Sequence, residues 1–222
     1  MLIRYTRRIV LKEKKTPLGY YNYTVILTYL GMLVGFTGIT CVLDGQFHQA
    51  IFCLMFAGIC DMFDGTVAAT KQRSSKEKNF GIQIDSLSDL ICFGALPAIL
   101  VYGMNPKSTY SFFVSGMYAL CALIRLAYFN VDEEERQTNT AEPRKYYQGL
   151  PVTVAALIVP AVYEIASVTK LPVGKSGMVT LAVMAVAFIT PFKLRKPAFI
   201  GKICVVLCGL VELLFLLSGA DL

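Results

Sequence analysis

The 222-residue chain has no tryptophan and one histidine, His48, and only 16% of its residues are charged. His48 stands far from the acidic residues described below, so no Ser-His-Asp or Cys-His catalytic set can be assembled and its role is read as structural. The seven cysteines contain no CxxC pair and sit in or beside apolar runs, which reads them as small buried hydrophobes rather than disulfide or zinc partners. Alternating apolar and polar residues are missing, which argues against a membrane β-barrel. Internal repeats, low-complexity tracts and a soluble second domain are missing too. Basic residues are not interleaved with aromatics, so no nucleic-acid surface is expected.

What remains is apolar. Hydrophobic residues make up 55% of the chain and the mean hydropathy is +0.58, too high for an ordinary soluble domain. The expected fold is all-α, a polytopic transmembrane bundle of about six to seven spans of roughly 20 residues each. Apolar runs place them at 23–43, 47–69, 82–103, 109–131, 150–168, 176–192 and 199–218, within one domain over 23–218. The polar stretch Asp132 to Gln148 reads as a loop. Residues 1–22 form a basic segment before the first span, either an interfacial amphipathic helix or a plain basic anchor. No cleavable signal is expected.

Charge sets an expected orientation. Arg4, Arg7, Arg8, Lys12, Lys14 and Lys15 precede the first span; Lys71, Arg73, Lys76 and Lys78 follow the second. Arg136, Arg144 and Lys145 follow the fourth, and Lys193, Arg195 and Lys196 the sixth, whereas the alternate loops hold only Lys107, Lys170 and Lys175. The positive-inside rule puts the first group of loops in the cytoplasm, and the net charge of +6 is then topological and lipid-directed.

The chemistry lies in four aspartates. Asp61 and Asp64 are spaced i,i+3 and Asp85 and Asp89 i,i+4, so each pair occupies one face of its helix and two facing helices can converge all four. Ionised carboxylates inside apolar spans are costly unless they hold a cation, and this arrangement suits two divalent ions. Gly65 and Ala68, one turn apart, and Gly81 leave room for a ligand to approach the backbone, or simply permit tight helix packing. Arg125, within a span, is the best single anion contact, or else a helix-end arginine reaching for the interface. A cation channel lined by the carboxylates is the alternative from another class.

Written out, Asp61-x2-Asp64-Gly65-x2-Ala68 followed by Gly81-x3-Asp85-x3-Asp89 resembles the signature of the CDP-alcohol phosphatidyltransferases. These membrane enzymes transfer a phosphatidyl group from a CDP-linked lipid to an alcohol. The segments FGIQIDSLSDLICFGALPA, ALIRLAYFNV and YYQGLPVTVAA resemble the branch that uses serine. The resemblance implies CDP-diacylglycerol and L-serine as substrates, two Mg²⁺ or Mn²⁺ ions on Asp61, Asp64, Asp85 and Asp89, and Asp89 as the base for the attacking hydroxyl. It further implies a homodimer; the small side chains of Gly65, Ala68 and Gly81 are read as the CDP-lipid face, and Arg125, with Asn130 as a weaker candidate, as directed towards the acceptor. Glycerol 3-phosphate and inositol phosphate stay open as acceptors, and Arg125 stays open as a lipid-phosphate contact; Arg144 and Lys145 are weaker candidates. One departure stands out: the family's arginine after the motif alanine is replaced by Ala69, so Lys71 or Arg73 is expected to supply that charge. The lack of targeting segments suits a prokaryotic plasma membrane, with the active site facing the cytoplasm.

Overall fold

The computed structural model describes residues 17–106, 108–139, 146–195 and 199–218. Most of the N-terminal basic segment, with Arg144 and Lys145, lies outside the described residues. Among the described residues eight α-helices follow in order: α1 Tyr23–Leu43, α2 Phe47–Ala68, α3 Ser75–Asp89, α4 Leu96–Met104, α5 Thr109–Asn139, α6 Ala155–Val168, α7 Val173–Ile189 and α8 Phe199–Ser218. Four stretches among the described residues are long and apolar enough to cross a membrane: Tyr23–Leu43, Phe47–Ala68, Ser75–Met104 and Thr109–Arg136. Val152–Val168, Val173–Ile189 and Leu207–Leu216 are shorter apolar helices. This is the helical membrane bundle that the composition requires.

Local chemistry explains the boundaries near the site. Asn22 caps α1, its side chain accepting from the Thr24 N–H at 3.1 Å. Gly45, at φ +76°, makes the tight turn from α1 into α2. Ser74 opens α3 through a capping box, accepting from the Glu77 N–H at 3.2 Å while Glu77 accepts from the Ser74 N–H at 2.9 Å. Helix α3 therefore starts at Ser75, and Lys76 and Lys78, which the charge reading placed in a loop, sit on its first turns.

Between α3 and α4 the chain forms a π-helical turn, Leu90–Ala95, directly after Asp89. The reason is Pro97. It has no N–H for the Phe93 carbonyl four residues back, and its ring crowds that carbonyl. The ladder widens instead, with the Leu96 N–H bonding to Ile91 O, and the Tyr118 hydroxyl of α5 donates to Phe93 O at 2.7 Å. Tyr118 is fully buried, its ring 5.3 Å from Phe188 of α7. Around this pair lies the core, with Ile51, Leu54, Leu96, Leu100 and Leu181 wholly enclosed.

Close approach of α1 to its neighbours depends on small residues. A Cβ on Gly35 would lie 2.6 Å from Cys92 Sγ, and one on Gly38 would lie 2.8 Å from Leu96 Cδ2 and 2.9 Å from Cys53 Cβ. Likewise Gly58 of α2 meets Ala156 of α6, where an added Cβ would be 2.6 Å away.

Two expectations change. Asp132 to Gln148 is not all loop: α5 continues to Asn139, because Asp132 to Gln137 are charged or polar helix formers and Arg136 pairs with Glu133 one turn back. In addition, β1 Tyr146–Gln148 pairs antiparallel with β2 Lys193–Arg195, Tyr147 opposite Leu194. Two three-residue strands leave the fold a helical one.

Candidate active site

Helices α2 and α3 face each other where their aspartates lie. Carboxylate oxygens of Asp61, Asp64 and Asp85 come within 4.8 Å of one another, a set of hard oxygen donors that fits Mg²⁺ or Mn²⁺. Asp89, one turn beyond Asp85 on α3, lies close to Asp61. Asp64 is buried, at 8% exposure, and receives a hydrogen bond of 3.1 Å from the Thr28 hydroxyl of α1. Ser88, between the α3 aspartates, donates to the Thr28 carbonyl at 3.3 Å. Thr28 thus ties α1 to both carboxylate helices. The sequence offered no signal for it beyond a polar residue in an apolar span.

A cavity of about 1500 Å³ opens beside this cluster. Asp61, Asp85, Asp89, Gly65 and Ala69 line its polar end, and no atom lies within 4 Å of a Cβ built on Gly65. Its other walls are apolar, from Phe52, Phe56 and Ile59 of α2 to Leu157 of α6 and Leu210 and Leu213 of α8.

Arg125 enters the wall from α5. It is 5% exposed, its guanidinium stands 5.8 Å from the Phe129 ring centroid, and its Nε donates to the Leu150 carbonyl at 3.3 Å. Leu150 is held in turn. Gly149, at φ +71°, turns the chain so that its N–H bonds to Phe192 O at 2.7 Å and the Leu150 N–H to Ala187 O at 3.1 Å. A Cβ on Gly149 would sit 3.0 Å from Phe188 O, so glycine is required on both counts. The RLAYFN and GLP segments are therefore two sides of one contact between Arg125 and Leu150, 25 residues apart in sequence, which the Tyr128 hydroxyl bond to Gln148 Oε1 at 3.2 Å extends.

The remaining candidates fall elsewhere. Asn130 does not line the cavity: its Oδ1 accepts from Ser86 at 2.6 Å and its Nδ2 donates to Gln83 at 3.3 Å, fastening α5 to α3 beside the aspartates. Ala68 is half-buried at the end of α2, outside the cavity lining. Lys71 pairs with Glu77 at 3.6 Å, and Gly81 lies under the Arg73 side chain. His48, at the opposite end of α2, shares a 2.9 Å hydrogen bond with Leu216 O and packs against Phe52 and Tyr163.

Fold and site together define an integral membrane protein with a carboxylate centre at one end of a long, mostly apolar cavity. The chain belongs to the CDP-alcohol phosphatidyltransferase family, whose sequence model matches residues 21–209. It is 34% identical over 147 residues to the CDP-diacylglycerol–serine O-phosphatidyltransferase of Saccharomyces cerevisiae, covering 61% of this chain and 52% of that one. An archaetidylserine synthase of Methanothermobacter thermautotrophicus is 33% identical over 139 residues, covering 62% and 56%. A CDP-diacylglycerol–serine O-phosphatidyltransferase of Helicobacter pylori is 32% identical over 142 residues, covering 63% and 56%. The chain thus spans about half the length of the curated relatives it matches.

Proposed function

We propose that this protein transfers the phosphatidyl group of CDP-diacylglycerol to the hydroxyl of L-serine, giving phosphatidylserine and CMP. One observation carries the reading: Asp61, Asp64 and Asp85 converge, and Asp61, Asp85 and Asp89 line the polar end of a cavity whose other walls are mostly apolar, with the buried Arg125 in the same wall. That is a shape for a pyrophosphate attached to lipid chains. Asp61, Asp64 and Asp85 would hold divalent Mg²⁺ or Mn²⁺, with Asp89 sharing. When bound, such ions neutralise the pyrophosphate and polarise the phosphorus under attack.

The protein's own groups do the rest. Gly65 leaves the cavity wall open for the CDP headgroup, and the walls from α2, α6 and α8 take the acyl chains. The Asp89 carboxylate accepts the serine hydroxyl proton as the serine oxygen bonds to the phosphatidyl phosphorus, and the bond from that phosphorus to the CMP phosphate oxygen breaks. Arg125, preset by the Leu150 carbonyl and the Phe129 ring, presents a guanidinium to the serine carboxylate. Asn130 acts through α3, holding Ser86 and Gln83 next to the aspartate face.

Arg125 is the one arginine in the cavity wall among the described residues, which favours an unphosphorylated acceptor over glycerol 3-phosphate or inositol phosphate. The working unit in this reading is a homodimer in a prokaryotic-type plasma membrane, and the bias of Lys and Arg between alternate loops supports a cytoplasmic position for the aspartates. The test is purified protein with CDP-diacylglycerol, Mn²⁺ or Mg²⁺, and labelled serine, ethanolamine, glycerol 3-phosphate and inositol phosphate. Metal-dependent CMP release with label entering lipid from serine is the expected result. Preferred labelling from another acceptor would replace serine, and no CMP release with any would refute the reading.

A further inference from the structure

The position at which the family carries an arginine is filled here by Ala69, whose side chain ends at a methyl group in the cavity wall next to Gly65 and Thr66. A CDP headgroup there meets Asp61, Asp85 and Asp89 and, on that side of the cavity wall, no basic side chain among the described residues. Two basic residues follow closely, and the structure separates them. Lys71 is engaged: its Nζ lies 3.6 Å from Glu77 Oε1, in a knot where Glu77 also closes the Ser74 capping box and accepts from Asn22 Nδ2 at 3.2 Å. This knot fastens the starts of α1 and α3 together, so Lys71 has a structural use for its charge.

Arg73 is placed differently. Its side chain lies across α3 at Gly81, with Nη1 3.0 Å from the point a Cβ on Gly81 would occupy. Its Nε is buried and has no hydrogen-bond partner. A buried N–H without an acceptor is destabilising, and an incoming anion would relieve that. Gly81, Asp85 and Asp89 follow at i, i+4 and i+8 on one helix face, so Gly81 precedes Asp85 by about 6 Å of axial rise, and Arg73 reaches this face from outside the residues that line the cavity. A guanidinium is also the group best shaped to grip phosphate oxygens two at a time.

We propose that Arg73, seated in the notch that Gly81 leaves in α3, supplies the phosphate-directed cation that the Ala69 position lacks. This rests on the CDP-lipid reading of the site. The missing side chain at Gly81 is what gives the Arg73 guanidinium its seat against α3.

The test combines calorimetric binding of CDP, in the presence of Mg²⁺, with steady-state kinetics. Arg73→Ala is expected to weaken CDP binding and raise the KM for CDP-diacylglycerol about 10-fold or more, with the KM for serine little changed. Gly81→Ala, whose new Cβ pushes on the guanidinium, should give a smaller shift in the same two quantities. Adding Ala69→Arg to Arg73→Ala should recover most of the loss, which a merely structural role for Arg73 would not allow. Lys71→Ala should weaken CDP binding less than Arg73→Ala does. If Arg73→Ala fails to fold, Arg73→Gln, which keeps the length and polarity, takes its place. The proposal is overturned if the folded variant binds CDP as tightly as the unmodified protein, or if Lys71→Ala has the larger effect. Failure of the unmodified protein to bind CDP or release CMP would instead remove the CDP-lipid reading itself.

Discussion

Two groups of acidic residues are enclosed by these helices, about 20 Å apart along α2 by its rise per residue. At one end are Asp61, Asp64, Asp85 and Asp89. At the other are Glu164 of α6 and Glu212 of α8, near His48. Among the aspartates, Asp61, Asp64 and Asp85 converge within ligand distance, Asp64 receives a hydrogen bond from Thr28, and Asp61, Asp85 and Asp89 open onto a cavity. The glutamates do none of these: each has one carboxyl oxygen that is buried and without a hydrogen-bond partner, and they line no part of the large cavity. Burial of carboxylates alone therefore does not mark a site. Convergence, supporting donors and access do, and only the aspartates combine them.

The largest effect should come from the aspartates. Replacing any one of them with Asn is expected to lower CMP release well beyond the roughly 100-fold that loss of even an outer-shell partner can cost, while the protein still elutes as a folded species. EDTA should abolish activity, and Mn²⁺ or Mg²⁺ should restore it. Glu164→Gln and Glu212→Gln should leave turnover within about a few-fold, as for groups that are no part of a metal-held unit. Loss of turnover on that side equal to loss on the aspartate side would collapse the distinction.

Next in size is Arg125, the buried arginine in the cavity wall. Arg125→Lys keeps the charge and loses the two-pronged geometry, so the KM for serine should rise about 10-fold, and much more than that for CDP-diacylglycerol. Ethanolamine, lacking the carboxylate, should be a very poor acceptor because it offers the guanidinium nothing in exchange for its own desolvation. Equal competition between the two acceptors in a mixed-label assay would return Arg125 to a role towards lipid phosphate.

The smallest effects concern stability. Tyr118→Phe removes the donor to the Phe93 carbonyl that Pro97 leaves without a helical partner, and should lower stability by about 1 kcal/mol in a detergent unfolding assay. Glu212→Leu should be neutral or stabilising by a similar amount, since it removes a buried oxygen that bonds to nothing. Opposite signs for these two substitutions would sharpen the contrast between a satisfied polar contact and an unsatisfied one.

The linear order of residues determined a good deal. The apolar runs at 23–43, 47–69 and 199–218 anticipate α1, α2 and α8 almost residue for residue, because a span's length and composition are set by the membrane and need no knowledge of neighbours. The i,i+3 and i,i+4 spacings placed each aspartate pair on one face, since helical periodicity is local. Other features belong to tertiary structure alone. That Thr28 supports Asp64, that the Leu150 carbonyl orients Arg125, and that Arg73 rather than Lys71 is left with a buried N–H to satisfy depend on which helices meet. The π-helical turn is intermediate: Pro97 announces a lost hydrogen bond, but only the packing of α5 reveals that Tyr118 replaces it. Periodicity and polarity are properties of a segment, whereas the partner of a buried polar group is fixed by the segments it packs against.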